Sequence, residues 1–196
     1  ELAKVSLWLE ALDPGRPLTF LDAQIKIGNA LVGATPRLLA DGVPDEAFKP
    51  IEGDDKKITA TLAKQNKAER GAQGSLFEVD MVAPNTKLAQ QIAQVVTTPA
   101  VSLDDVHVQQ QRLRAYTESS AYRRQLLAAD AWCAAFVWPK SLGAPPAITQ
   151  RTITALIDGD DKLTEKQRTE IERLTAEYRF FHWHLEFPHI FPTQSS

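Results

Sequence analysis

The sequence predicts a mainly α-helical fold with a few short strands. Three observations carry that expectation. Apolar residues recur at helical spacing through the second half, as in Tyr122, Leu126, Ala129, Cys133 and Phe136, which follow the rhythm of a buried seam. Strict alternation, the mark of a half-buried strand, occurs only around Ile25 and Ile27 and, more weakly, at Phe77, Val79 and Met81. Proline and glycine punctuate the chain between these stretches.

Leu2, Val5, Leu9 and Leu12 share one helical face, so residues 1–12 read as an amphipathic helix that Asp13, Pro14 and Gly15 stop. Gln24 to Leu31 reads as a strand, closed by Gly28 and Gly33. From Thr35 to Asp54, Pro36, Pro44 and Pro50 leave room only for short helical turns. Asp55 to Arg70 reads as a polar helix closed by Gly71, followed by a loop to Ser75. Leu88, Ile92 and Val95 mark a further helical stripe, and Ser102 with Asp104 and Asp105 a capped helix start. Pro139 ends the helix that holds Cys133. Two more helices are expected over Thr149 to Ile157 and Thr164 to Phe181, the second opened by a Thr164–Gln167 capping box. The expected core is Leu9, Ile27, Leu126, Cys133, Phe136, Leu174, Tyr178 and Trp183.

Composition bounds the function classes. The chain has 196 residues, 43% hydrophobic and 24% charged, which suits one domain with a real core. No apolar run approaches the roughly 18 residues of a membrane span, so no membrane partner is expected. Glu1 to Glu10 lacks the features of a secretory leader, and the single cysteine, Cys133, excludes an internal disulfide. Both point to a cytoplasmic location. Helical residues begin at position 1 without a capping residue, which suggests a fragment. The net charge of −3 counts against the chain as a whole being a DNA-gripping surface.

Residues able to carry chemistry are few. His182, His184 and His189 crowd together, and on a strand the first two would share a face and could grip a metal with His189, Glu186 or Cys133. No zinc signature spacing is present, so packing is the preferred reading. Cys133 sits in an apolar stretch, Ala131 to Phe136, unsuited to a nucleophilic thiolate. Gly71 to Ser75 follows a helix and lacks a Gly-Lys-Ser ending, so it reads as a connector and not a phosphate loop. Two basic clusters could meet phosphates: Lys56, Lys57, Lys64, Lys67 and Arg70 on one helix, and Arg112, Arg114, Arg123 and Arg124 with only Glu118 opposing. A solvated helix face is the alternative for either.

Two distant segments are more specific. One is Glu1 to Ala34, with Leu2-Ala3-Lys4-Val5-Ser6-Leu7-Trp8-Leu9, Pro17 to Asp22, and Ile25-Lys26-Ile27-Gly28-Asn29-Ala30-Leu31-Val32-Gly33-Ala34. The other is Phe181-His182-Trp183-His184-Leu185-Glu186-Phe187-Pro188-His189-Ile190-Phe191. Both resemble N6-adenine-specific DNA methyltransferases of type IIG restriction-modification enzymes and of BREX- or DISARM-like phage defence systems. Ala30 and His189 stand where that family usually has a serine and an acid.

The resemblance implies a fragment of an α/β S-adenosylmethionine-dependent methyltransferase fold. Residues 1–34 would belong to the methyltransferase core, 35–180 to a mostly helical insertion, and 181–196 to the return to the core. It implies S-adenosylmethionine as cofactor, with Asn29 and Gly28 as the cofactor-binding residues. DNA and the remainder of the methyltransferase chain are the implied partners, with Arg112, Arg114, Arg123 and Arg124 as DNA-contact candidates. No Asn-Pro-Pro-Tyr motif occurs, and the Gly-rich cofactor loop, which the resemblance places before residue 1, is missing from the sequence, so catalytic and metal residues are expected to be absent and the chain alone inactive. The competing reading is a non-catalytic helical DNA-binding or protein-interaction module.

Overall fold

A computed structural model describes residues 2–10, 21–72, 90, 92–96 and 100–191. Among the described residues these α-helices follow in order: α1 (Leu2–Glu10), α2 (Pro36–Asp41), α3 (Lys56–Ala72), α4 (Leu103–Glu118), α5 (Ser120–Val137), α6 (Gln150–Ile157), α7 (Glu165–Tyr178) and α8 (Trp183–Glu186). A 3-10 turn (Asp45–Phe48) lies between α2 and α3, and residues 92–96 are also helical. Among the described residues no strand forms, and the sole β feature is an isolated parallel bridge between Asn29 and Phe180.

The boundaries follow from local chemistry. Pro36 begins α2 behind Thr35, whose hydroxyl accepts the Leu38 N–H at 3.2 Å. Asp55 accepts the N–H groups of Lys57 and Ile58 at the start of α3. Ser102 and Asp105 form a reciprocal capping box on α4, and Thr164 and Gln167 form another on α7, as expected from their spacing. Each such cap stabilises its helix by about 1 kcal/mol. α5 stops at Val137, two residues before Pro139. At the end of α7, Arg179 adopts the left-handed conformation (φ 53°), which turns the chain sharply towards Phe180.

The core is built around α5. It packs against α4, α6, α7, α8 and the 3-10 turn, so its second half is enclosed on all sides. Ala128, Ala129, Ala131, Ala134 and Ala135 are buried there, and their small side chains let neighbouring helices approach closely. Ile148, Ile153, Leu156, Ile171, Leu174 and Leu185 fill the surrounding layer, each burial stabilising by about 1.5–3 kcal/mol.

Polar groups tie this core to the first third of the chain. The Asn66 side chain donates to the Val43 carbonyl and accepts the Gln150 N–H, both at 2.8 Å. Gln150 accepts the Val43 N–H at 2.7 Å, and the Trp132 indole donates to Gly42 at 3.0 Å. Gly42 has φ +82°, and a Cβ there would lie 2.3 Å from the Gln150 side-chain oxygen, so glycine is required twice over. Lys140 is fully buried: its ammonium donates to the Trp138 carbonyl at 3.0 Å and lies 3.6 Å from Asp54. Burial pushes this lysine's pKa down against the pull of Asp54.

Several expectations are corrected. Gln24 to Leu31 does not form a strand: Asp22 to Gln24 make a turn, and only Asn29 forms a bridge. Ile27 is 81% exposed and Leu31 is 95% exposed, so the alternation of apolar residues does not face a core within the described chain. Leu9, 66% exposed, also lies outside the core, since α1 leaves Leu2, Val5, Leu7 and Leu9 uncovered. Tyr178 and Trp183 are exposed as well. Cys133 and Leu174 are buried, and Leu126 and Phe136 are half-buried against the core. Gly71 does not close α3, which continues through Ala72. The expected stop at Asp13 to Gly15, the strand at Phe77 to Met81, Leu88 and the remainder of the loop to Ser75 lie outside the described residues.

Candidate functional site

The two segments singled out in sequence meet in space. Asn29 donates its N–H to the Arg179 carbonyl at 2.7 Å within its parallel bridge to Phe180, and Phe181 donates to the Val32 carbonyl at 2.8 Å. The Trp183 indole donates to the Ala30 carbonyl at 3.1 Å. The Ala34 N–H donates to Nδ1 of His182 at 2.9 Å. Four hydrogen bonds therefore join residues 29–34 to residues 179–183.

Glycine makes this approach feasible. A Cβ on Gly33 would lie 1.9 Å from the Phe181 carbonyl oxygen, and one on Gly28 would lie 2.4 Å from the Phe181 ring. Both glycines are thus required by contact with Phe181. Asn29 is exposed, and its side-chain oxygen accepts the Leu31 N–H at 3.2 Å. That local turn orients the side chain and leaves its amide hydrogens as the available donors.

Helices α4 and α5 anchor the far side of the junction. His182 is buried, and its Nε2 lies 2.9 Å from a carboxylate oxygen of Asp130. Because the Ala34 amide must donate to Nδ1, the ring hydrogen sits on Nε2 and donates to Asp130. The Tyr116 hydroxyl donates to the Leu185 carbonyl at 2.6 Å, and the Tyr122 hydroxyl to Glu186 at 3.1 Å. Burial, reinforced by the Glu186 charge, pushes both phenol pKa values well up, so both hydroxyls stay protonated and donate these bonds. Lys26 lies 3.4 Å from Glu186 and closes the arrangement from the other segment.

His182 spends both ring nitrogens on Ala34 and Asp130. The rings of His182 and His184 are 6.4 Å apart, and His182 precedes the short helix α8 instead of alternating with His184 on a strand. Among the described residues no group of three or more His, Cys, Asp or Glu is placed to hold a metal ion. Burial and the neighbouring His182 hold the His184 pKa down at about 4. Burial likewise pushes the Cys133 thiol up to about 12, with Asp130 adding to it.

Arg112, Arg114, Arg123 and Arg124 are all exposed. Arg112 borders a groove of about 220 Å³ with Gln94, Ala115 and Tyr116. Arg114 stands two positions on, about 200° around α4. The Arg124 guanidinium covers Gly159, where an added Cβ would lie 3.0 Å from it. The four arginines are thus spread over different faces. Asp130 was the residue sequence reasoning missed; its signal was a lone acid within the alanine-rich stretch Leu126 to Val137.

Comparison of the chain with protein-family models, with characterised proteins and with solved structures found no match.

Proposed function

We propose that the chain is a segment of a site-specific DNA adenine-N6 methyltransferase of a restriction-modification or phage-defence system. The complete enzyme transfers a methyl group from S-adenosylmethionine to DNA adenine. The observation that carries this reading is the set of hydrogen bonds joining the two segments: Phe181 to Val32, Trp183 to Ala30 and Ala34 to His182. The resemblance assigns these two segments to the cofactor-binding and catalytic parts of one sheet, and cofactors in such sheets lie across the carboxyl ends of parallel strands.

A second observation supports it. Leu2, Leu9, Ile27, Leu31, Ile190 and Phe191 are exposed, and all six belong to the segments assigned to the methyltransferase core. The rest of the methyltransferase core would cover these side chains.

The residues present fit only one edge of the cofactor. Asn29 offers exposed amide hydrogens suited to the adenine ring, while no Gly-rich loop or ribose-binding acid accompanies it. The group would supply the methyl; Asn29 would orient its base. The 196 residues contain no Asn-Pro-Pro-Tyr to hold the flipped adenine's amino group, so methyl transfer needs residues outside them.

The test is methyl incorporation. The complete reading frame, purified and incubated with labelled S-adenosylmethionine and duplex DNA, is expected to yield N6-methyladenine on digestion to nucleosides. Asn29→Ala is expected to raise KM for S-adenosylmethionine about tenfold with kcat nearly unchanged, corresponding to about 1.4 kcal/mol of uniform binding. No methyl incorporation, together with a reading frame lacking an Asn-Pro-Pro-Tyr motif, overturns the proposal.

A further inference from the structure

We propose that the outer face of α3 is a docking surface for the phosphate backbone of duplex DNA. Lys56, Lys57, Lys64 and Lys67 are exposed on this helix, and no ion pair or side-chain hydrogen bond engages them among the described residues. At 100° per residue all four fall within about 100° of one another. Ala60 and Gly71, also exposed, fall among them, and the exposed Thr61 and Ala68 border them. The opposite face carries the buried Thr59 and Asn66 that fasten α3 to the core. The lysine face is therefore held outward by a rigid, hydrogen-bonded back.

Nearby acids are occupied elsewhere. Glu69, the sole acid within α3, accepts the Arg151 N–H at 3.0 Å and the Gln65 amide at 2.8 Å. Asp55 caps the helix through the Lys57 and Ile58 amides, and Asp45 lies 3.5 Å from Arg70. The contrast with α7 is direct. There Arg168 meets Asp161 at 2.7 Å, and Arg173 meets Glu170 and Glu177 at 2.7 and 2.6 Å, as on an ordinary solvated helix. The chain carries a net charge of −3, yet keeps four lysines together on one face with no ion-pair partner among the described residues.

The chemistry that fits is a regularly spaced polyanion. Lys57 and Lys64 stand about 10 Å apart along the helix axis, close to the rise of three nucleotides on one strand. The small side chains between them allow the helix to lie close to a sugar-phosphate backbone. A membrane surface fits less well, because this face carries no large apolar side chain to enter the lipid boundary. The choice of duplex DNA among polyanions rests on the methyltransferase reading; the lysine face itself does not.

The experiment measures binding of the purified chain to a fluorescein-labelled 20-base-pair duplex across a salt series. A variant with all four lysines changed to glutamine is compared with the parent, after circular dichroism has shown equal helicity. Lys57→Gln with Lys64→Gln serves as a milder second variant. Each lost phosphate contact is expected to lower the slope of log affinity against log salt by about 0.9, so the fourfold variant loses about 2–4 in slope. The double variant loses about half of that. An unchanged slope in the fourfold variant overturns the proposal, as does absence of duplex binding by the parent at 50 mM salt. Lysine-dependent binding to phosphatidylserine vesicles without binding to the duplex also overturns it. Methyl incorporation remains a separate measurement, so a failure of α3 to bind DNA is distinguishable from a failure of the methyltransferase reading.

Discussion

The buried Asp130 carboxylate receives the Nε2 hydrogen of His182 at 2.9 Å, linking the middle of α5 to the last described segment. The other ring nitrogen accepts the Ala34 amide. One imidazole thus joins three parts of the chain. Removing it with His182→Ala leaves a buried carboxylate and a buried amide without partners. The expected loss is about 2–4 kcal/mol, from a buried carboxylate and a buried amide each left without its hydrogen bond. Urea denaturation followed by circular dichroism measures it, and a loss below about 1 kcal/mol contradicts the assignment.

The two tyrosine clamps should differ in weight. Tyr116→Phe leaves the buried Leu185 carbonyl without its donor and is expected to cost about 1–3 kcal/mol. Tyr122→Phe frees Glu186, which is half-buried and has Lys26 nearby, so its expected cost is about 0.5–1.5 kcal/mol. Chemical denaturation of both variants tests the order.

Glycine substitutions should have opposite signs at two positions. Gly33→Ala sets a methyl against the Phe181 carbonyl oxygen and is expected to destabilise by about 1–3 kcal/mol, as for overpacking. Gly71→Ala meets nothing within 4 Å near the end of α3 and should stabilise by about 0.5–1 kcal/mol. Calorimetry reads these as Tm changes of about 2–4 °C per kcal/mol for a chain of this size.

Acid should weaken the fold through His184. Its native pKa lies near 4, below the ordinary 6.5, so below pH 6.5 the unfolded chain binds a proton that the folded chain refuses. The contribution is fully present above pH 6.5 and is lost progressively down to about pH 4. Its size is up to about 3 kcal/mol, at 1.36 kcal/mol per pH unit. Stability measured from pH 7 to 4 should therefore fall less steeply in His184→Gln than in the parent protein.

Cys133 should be inert in the folded protein. Its buried thiol, raised to about 12, holds almost no thiolate at pH 8. Reaction with a thiol-specific disulfide reagent at pH 8 should be slow until denaturant is added, and then complete. Rapid labelling of the native chain contradicts the burial of α5.

Much of the helical layout was legible because caps and breakers act locally. Ser102, Thr164, Pro36 and Pro139 mark real boundaries through hydrogen bonds and φ restrictions that need no distant partner. The periodic seam of α5 was legible for the same reason. Tertiary structure alone decided the rest. Ile25 and Ile27 alternate as a strand does, yet a strand exists only if a neighbour supplies its ladder, and here Asn29 alone finds one in Phe180. Gly28 and Gly33 are glycine because Phe181 arrives against them, which no local pattern reveals. The pairing of Asp130 with His182 depends on α5 and the His182 segment folding together, since burial makes an unpartnered carboxylate costly and so selects the imidazole that reaches it.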